Sequence, residues 1–230
     1  MITNRRTNII SEKKINNNKK LKFKLNFKPI FIDYIKNNIR EFFCVISLLL
    51  IGIILSIIFI NNVNEMQKNE ITSYIQDYIS NLKEGKNINK KAVFWDSIKY
   101  NAIFTITLWF GGLTIIGIPI VYITIIFKGF TLGYTISVLI AILGTGKGSM
   151  FVFCAMFLQN IIAIPCILTI AVSGIKIYKV IVKDKRKENM KLEICRHTIT
   201  SLLFFNILII ESFISGYLST LIIENIIKFI

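Results

Sequence analysis

The chain has 230 residues, 53% of them hydrophobic, with a mean hydropathy of +0.61 and a formal charge of +15. A soluble domain of this size has no room to bury that much apolar surface, so the composition points to an all-α, polytopic membrane protein. The positive charge gathers before Phe42 and between Lys176 and Arg196; clusters of this kind at membrane edges are topology signals, and no nucleic-acid partner is inferred from them.

Residues 1–28 hold Asn and Lys in near low-complexity runs (KKINNNKKLKFKLNFK) with few large apolar groups, the composition of a disordered basic tail on the cytoplasmic side. From Pro29 onward, Ile32, Ile35, Ile39 and Phe42 fall at helical spacing, a short amphipathic lead-in to the integral membrane domain expected over 29–225. Residues 42–60 are uncharged and as a helix span about 28 Å, matching a hydrocarbon core of about 30 Å. The exit IFINNVNEM lacks a small-x-small cleavage pattern, so this first span is expected to stay as an anchor.

An outer loop follows at 61–99. Within it Ile71, Tyr74, Ile75, Tyr78, Ile79 and Leu82 repeat at helical spacing, and Gly85 is placed as a stop. Two uses of that amphipathic helix stay open: packing on the membrane surface or on the loop's second helix (AVFWDSIKYN, with Trp95), or docking an extracytoplasmic partner.

The next apolar stretch, 100–127, is expected as one kinked helix in which Gly111, Gly112, Gly117 and Pro119 offer places to bend, with Lys128 as a tight turn. A short span at 129–143 carries Gly129 and Gly133, a small-xxx-small face for close helix contact, and GTGKG at 144–148 is expected as a flexible hairpin. A fourth span at 149–182 contains Pro165. Dividing it there would put the basic loop 176–196 on the outer side, against the positive-inside rule. A last span is expected at 198–223. The resulting map has five transmembrane helices, N-terminus in and C-terminus out, with 20 of the 28 Lys and Arg on the inner side.

Polar groups inside these spans are the candidates for function. Glu211 is the one ionisable group expected deep in the bilayer, to be kept neutral, paired or wetted. Gln159 and Asn160 point about 100° apart on a helix and so serve different neighbours; either of them is a possible partner for Glu211. With Asn101 they are expected as intramembrane packing groups, with a polar path for transport as the alternative. His197 is expected at the membrane edge. Cys44, Cys154, Cys166 and Cys195 show no metal spacing, and no HExxH, GxSxG, Walker A or DxD motif occurs, so no enzyme, cofactor or metal is expected.

The order of these features, with FWDSIKYNAIFTITLWFGGLTIIGIPIVYITIIFKGFTLGYTISVL and FLQNIIAIP, resembles the stage II sporulation protein M family over residues 36–225. Asn101, Gly111, Gly117, Pro119, Lys128, Gly129, Gly133, Gln159, Asn160 and Pro165 carry the resemblance. It implies a cell-membrane protein of forespore engulfment, anchoring a lytic transglycosylase and an amidase/endopeptidase at the septal membrane of the mother cell. Broader relatives show a Pro-His-Gly then Glu-x-Pro pattern in the fourth span. Here Leu158, Gln159 and Asn160 stand in the first three places and Ala163 replaces the acid, which favours the sporulation branch over transport.

Overall fold

A computed structural model describes residues 34–84, 88–114, 116–183 and 187–226. The chain divides into two units, Met1–Asn37 and Asn38–Ile230. Of the first, only the helical residues 34–37 are described, and the expected tail at 1–28 lies outside the described residues. In the second, every regular element among the described residues is helical: α1 (Ile39–Asn61), α2 (Glu65–Lys83), α3 (Lys90–Leu113), α4 (Gly117–Leu143), α5 (Thr145–Lys183), α6 (Lys187–Phe213), a π turn (Ile214–Ser219) and α7 (Thr220–Ile226). Among the described residues, four stretches are long and apolar enough to cross a membrane: α1, α4, α5 as far as Val182, and Met190–Ile226.

In α1 the buried residues are Phe42, Val45, Leu49, Gly52 and Ser56, spaced alternately by three and four, the stripe a helix offers to one neighbour. The opposite face is equally apolar but open, with Phe43 74%, Leu50 52% and Ile54 56% exposed, as a lipid-facing surface requires. The neighbour is α4. A Cβ added at Gly52 would stand 2.1 Å from the Ile126 oxygen, and one at Gly129 2.1 Å from the Leu49 oxygen. One at Gly133 would stand 2.1 Å from Ser56 Oγ, so the two helices touch backbone to backbone along the small-residue face.

The helix boundaries between 100 and 143 differ from expectation. α3 ends at Leu113 and α4 begins at Gly117, so the boundary does not fall at Lys128; α4 runs unbroken through Lys128, which is buried at 5% exposure. Pro119 is the third residue of α4, within the first turn, where its missing N–H has no intrahelical acceptor to lose. A Cβ on Gly117 would lie 1.8 Å from the Gly111 oxygen, so only glycine lets the chain fold back this tightly. The glycines and proline mark a hairpin between two helices rather than a kink within one.

α3 is too charged in its first half (Lys90, Lys91, Asp96, Lys99) to stand among the four apolar stretches, yet it lies inside the bundle. Near its start Phe94 packs on Gly216; at its end Gly112 meets Gly174 of α5 and His197 of α6. It therefore runs antiparallel to α6 from Gly216 to His197, a distance of about 28 Å at about 1.5 Å per residue. His197, expected at an edge, is fully buried, with Nδ1 3.0 Å from Ser173 Oγ and Nε2 3.3 Å from the Trp109 oxygen.

The expected basic loop 176–196 is mostly helical, because α5 continues to Lys183 and α6 begins at Lys187. Charge marks where these helices leave the apolar layer, not where they end. Lys176 pairs with Glu193 at 3.8 Å, Arg196 with Glu193 at 2.6 Å, and Lys179 with Glu41 of α1. α5 also runs straight through Pro165 as helix, and the expected GTGKG hairpin reduces to Gly144, whose φ of 80° reverses the chain between α4 and α5.

At the other end of the bundle, α2 rests on α4 rather than on α3. Ile71, Ile75, Ile79 and Leu82 are half-buried, and Leu82 joins Leu139, Leu143, Ile223 and Ile226 around Phe151 and Ala155. The helix ends at Lys83; the stop expected at Gly85 lies outside the described residues. Glu224 of α7 accepts from the Ile88 N–H at 3.3 Å and pairs with Lys90 at 3.2 Å, fastening the last helix to the start of α3.

The α1–α4 contact gives a direct test. Gly129→Val should cost about 2 kcal/mol or more through overpacking, seen as a lower Tm and a smaller monodisperse fraction in detergent. Gly146→Ala, where a Cβ meets nothing within 4 Å, should leave both unchanged.

Candidate functional site

One face of α3 presents Val93, Asp96, Ser97, Tyr100 and Asn101, each three or four residues from the next or beside it. Opposite stand Lys128 of α4, Gln159, Asn160 and Ala163 of α5, Glu211 of α6 and Ser215 of the π turn. Together they line a cavity of about 430 Å³ among four helices. All four polar residues singled out in the sequence, Asn101, Gln159, Asn160 and Glu211, contribute to it.

Their partners differ from those expected. Glu211 bonds neither Gln159 nor Asn160; Asn101 Nδ2 donates to Glu211 Oε2 at 2.5 Å, to Ser212 Oγ at 2.9 Å and to the Leu208 oxygen at 3.4 Å. With Asn101 3% and Glu211 4% exposed, this bond joins α3 to α6 in the interior. Gln159 Oε1 accepts from Ser215 Oγ at 2.7 Å, and Asn160 Nδ2 turns back to the Met156 oxygen of its own helix at 2.9 Å. Gln159 thus reaches a neighbouring element, whereas Asn160 caps a carbonyl of its own helix, so the pair does not bridge two neighbours as expected.

Lys128 is the residue that sequence reasoning misplaced. Its ammonium lies 4.7 Å from the Tyr100 ring centre and 5.2 Å from that of Phe104, so aromatic faces take the place of a counter-ion. Among the described residues it has no hydrogen bond and no carboxylate within ion-pair distance. The signal was available: Val121, Ile125, Lys128, Gly129 and Leu132 form a single buried stripe at helical spacing. The 15-residue segment that a turn at Lys128 would leave, 129–143, is also too short to span a bilayer comfortably.

The π turn shapes the rim. It presents Ser215 to Gln159 and seats Gly216 against Phe94, where a Cβ would stand 2.7 Å from the Phe94 Cβ. Phe94 packs edge-on against Phe213 at 6.3 Å, and Phe213 stacks on Tyr217 at 4.6 Å. Insertions of this type are frequent at functional sites because they re-aim side chains without ending the helix.

The remaining predicted residues lie elsewhere. Gly117 and Pro119 form the α3–α4 hairpin, Gly129 and Gly133 face α1, and Pro165 is exposed on α5. Ile71, Ile75, Ile79 and Leu82 face the bundle, whereas Tyr74 (76% exposed), Tyr78 (42%) and Trp95 (52%) point outward. No residue of α2 lines the cavity. The four cysteines are free, and no group of three or more His, Cys, Asp or Glu side chains able to hold a metal occurs among the described residues.

Apolar helices of this length around a buried polar site define a multi-pass helical membrane protein. A family model described as Stage II sporulation protein M matches residues 45–220, and the chain belongs to that family. The match runs from within α1 to the first residue of α7 and takes in every residue of the cavity. No curated protein and no solved structure matches the chain. Family membership fits a sporulation membrane protein.

The Asn101–Glu211 bond should register in a double-mutant cycle. Asn101→Leu leaves a buried carboxylate without its donor and should cost about 1–3 kcal/mol of stability. Asn101→Leu with Glu211→Leu should cost clearly less than the sum of the two single changes, read as Tm in detergent.

Proposed function

We propose that this chain is a membrane scaffold for forespore engulfment, holding a lytic transglycosylase and an amidase/endopeptidase at the septal membrane of the mother cell. Membership of the sporulation family supports the setting, and the engulfment role is the one the family resemblance implies. The observation that carries the docking part is the division of α2 and its surroundings into two faces. The isoleucines are spent on α4, while Tyr74, Tyr78 and Trp95 stand exposed at the same end of the molecule. Large, rigid side chains with one polar edge are the usual anchors of protein interfaces.

The topology that suits this role has five crossings, with α3 as the one beyond the four apolar stretches. Its passage alongside α6 supports this, as does the Lys179–Glu41 ion pair, which brings the basic end of α5 beside the start of α1. Both basic clusters then lie in the cytoplasm, and α2 lies outside with the cell-wall partners.

Replacing Tyr74, Tyr78 and Trp95 together with Ser should sharply reduce co-purification of the two hydrolases while membrane insertion and Tm stay near wild type. Undiminished co-purification would remove these aromatics from the interface. Ile75→Asp with Ile79→Asp should instead lower Tm as well, because those side chains hold α2 on α4.

A second function is favoured by one observation: Gln159, Asn160 and Glu211 share a cavity, as a transporter or permease subunit with an intramembrane polar path would need. Glu211→Gln separates the two. Introduced into a strain lacking the gene, it should restore engulfment, scored with a membrane dye, if the chain is a scaffold; a proton-coupled carrier would fail.

A further inference from the structure

The hydrogen-bonding capacity around the cavity does not close on itself. Asn101, Ser212 and Ser215 are engaged, but Gln159 uses only its oxygen and Asn160 only its nitrogen. That leaves the Gln159 amide hydrogens and the three ammonium hydrogens of Lys128 as donors. The Asn160 Oδ1 and the second Glu211 oxygen remain as acceptors, with Asp96 at the exposed rim. Lys128 is 5% exposed, with the ring faces of Tyr100 and Phe104 against its ammonium and the Glu211 carboxylate facing it across the cavity without a direct ion pair. A buried ammonium with no hydrogen-bond acceptor is costly, and cation–π contact offsets only part of that cost.

The space fits more than solvent. About 430 Å³ lies within the range of about 300–1,000 Å³ common to small-molecule sites, and far exceeds the share of about 30 Å³ taken by one water. The lining is bipolar: donors come from Lys128 and Gln159, acceptors from Asn160 and Glu211.

We propose that this cavity binds a small zwitterionic group, a phosphate or carboxylate held by Lys128 and Gln159 with a nearby amine or hydroxyl held by Asn160 and Glu211. Charge-assisted hydrogen bonds from the ammonium to the anion give the site its strongest contact. A phospholipid headgroup and a free phosphorylated amine share this chemistry. The site stands independently of the scaffold role, since its residues are separate from the exposed aromatics near α2.

The test uses the full chain, purified in mild detergent and stripped of lipid, with phosphatidylethanolamine in mixed micelles and free phosphoethanolamine as the two probes. A saturating probe should raise Tm by about 5 °C in the wild type and by far less in Lys128→Met, which keeps the aliphatic stem. A rise with the lipid alone identifies a headgroup site, and a rise with both identifies a soluble ligand. No rise with either in the wild type means that the cavity holds water, and the proposal fails. An equal rise in Lys128→Met also overturns it. Should Lys128→Met not fold, Gln159→Leu decides: it should weaken the half-maximal probe concentration several-fold, and unchanged binding refutes the site.

Discussion

Gly112, Gly174 and His197 meet where α3, α5 and α6 come together, and a Cβ on Gly112 would lie 2.7 Å both from the Gly174 Cα and from His197 Nε2. That approach pulls a helix bearing four charges in its first half into an otherwise apolar bundle. Everything that α3 brings with it follows: the Asn101 side chain for Glu211, the Tyr100 and Phe104 rings for Lys128, and Asp96 and Ser97 at the cavity rim. Hydrophobic driving force between helices is weak inside lipid, so contacts of this closeness and the polar bonds they permit hold the arrangement.

The polar interior is arranged so that each helix supplies what another lacks. α6 brings a carboxylate and α3 its amide donor; α4 brings an ammonium and α3 its aromatic faces. Lys128 and Glu211 face the same cavity without forming a direct ion pair, which leaves space between opposite charges instead of closing it. The small-residue contact between α1 and α4 braces this group from outside, because Gly129 follows Lys128 directly and locks the backbone that carries it.

Much of the fold was legible in the residues themselves. Uncharged runs marked the apolar helices, and the spacing of Ile71, Ile75, Ile79 and Leu82 marked α2. Gly129 and Gly133 sit at the backbone contact that a small-residue pair makes possible. Two of the misplacements share one physical cause: a charge was taken as a sign of water. Lys128 became a turn, and 176–196 became a loop, although a long helix continues past the apolar layer and a lysine stays within it when rings cover its head group. Which polar groups pair was not legible, since Asn101 and Glu211 lie 110 residues apart and only the folded path of α3 brings them together.

The π turn at Ile214–Ser219 has a consequence for the far end of the chain. One added residue within a helix rotates everything beyond it by about 100° relative to an unbroken α-helix. With that offset, Ile223 and Ile226 reach the Phe151 cluster and Glu224 reaches Lys90. The last helix therefore works as a vernier. Its angular setting is fixed by a local change in pitch next to the cavity, so deleting a single residue from 214–219 would swing the whole terminal turn off its seat while leaving its sequence intact.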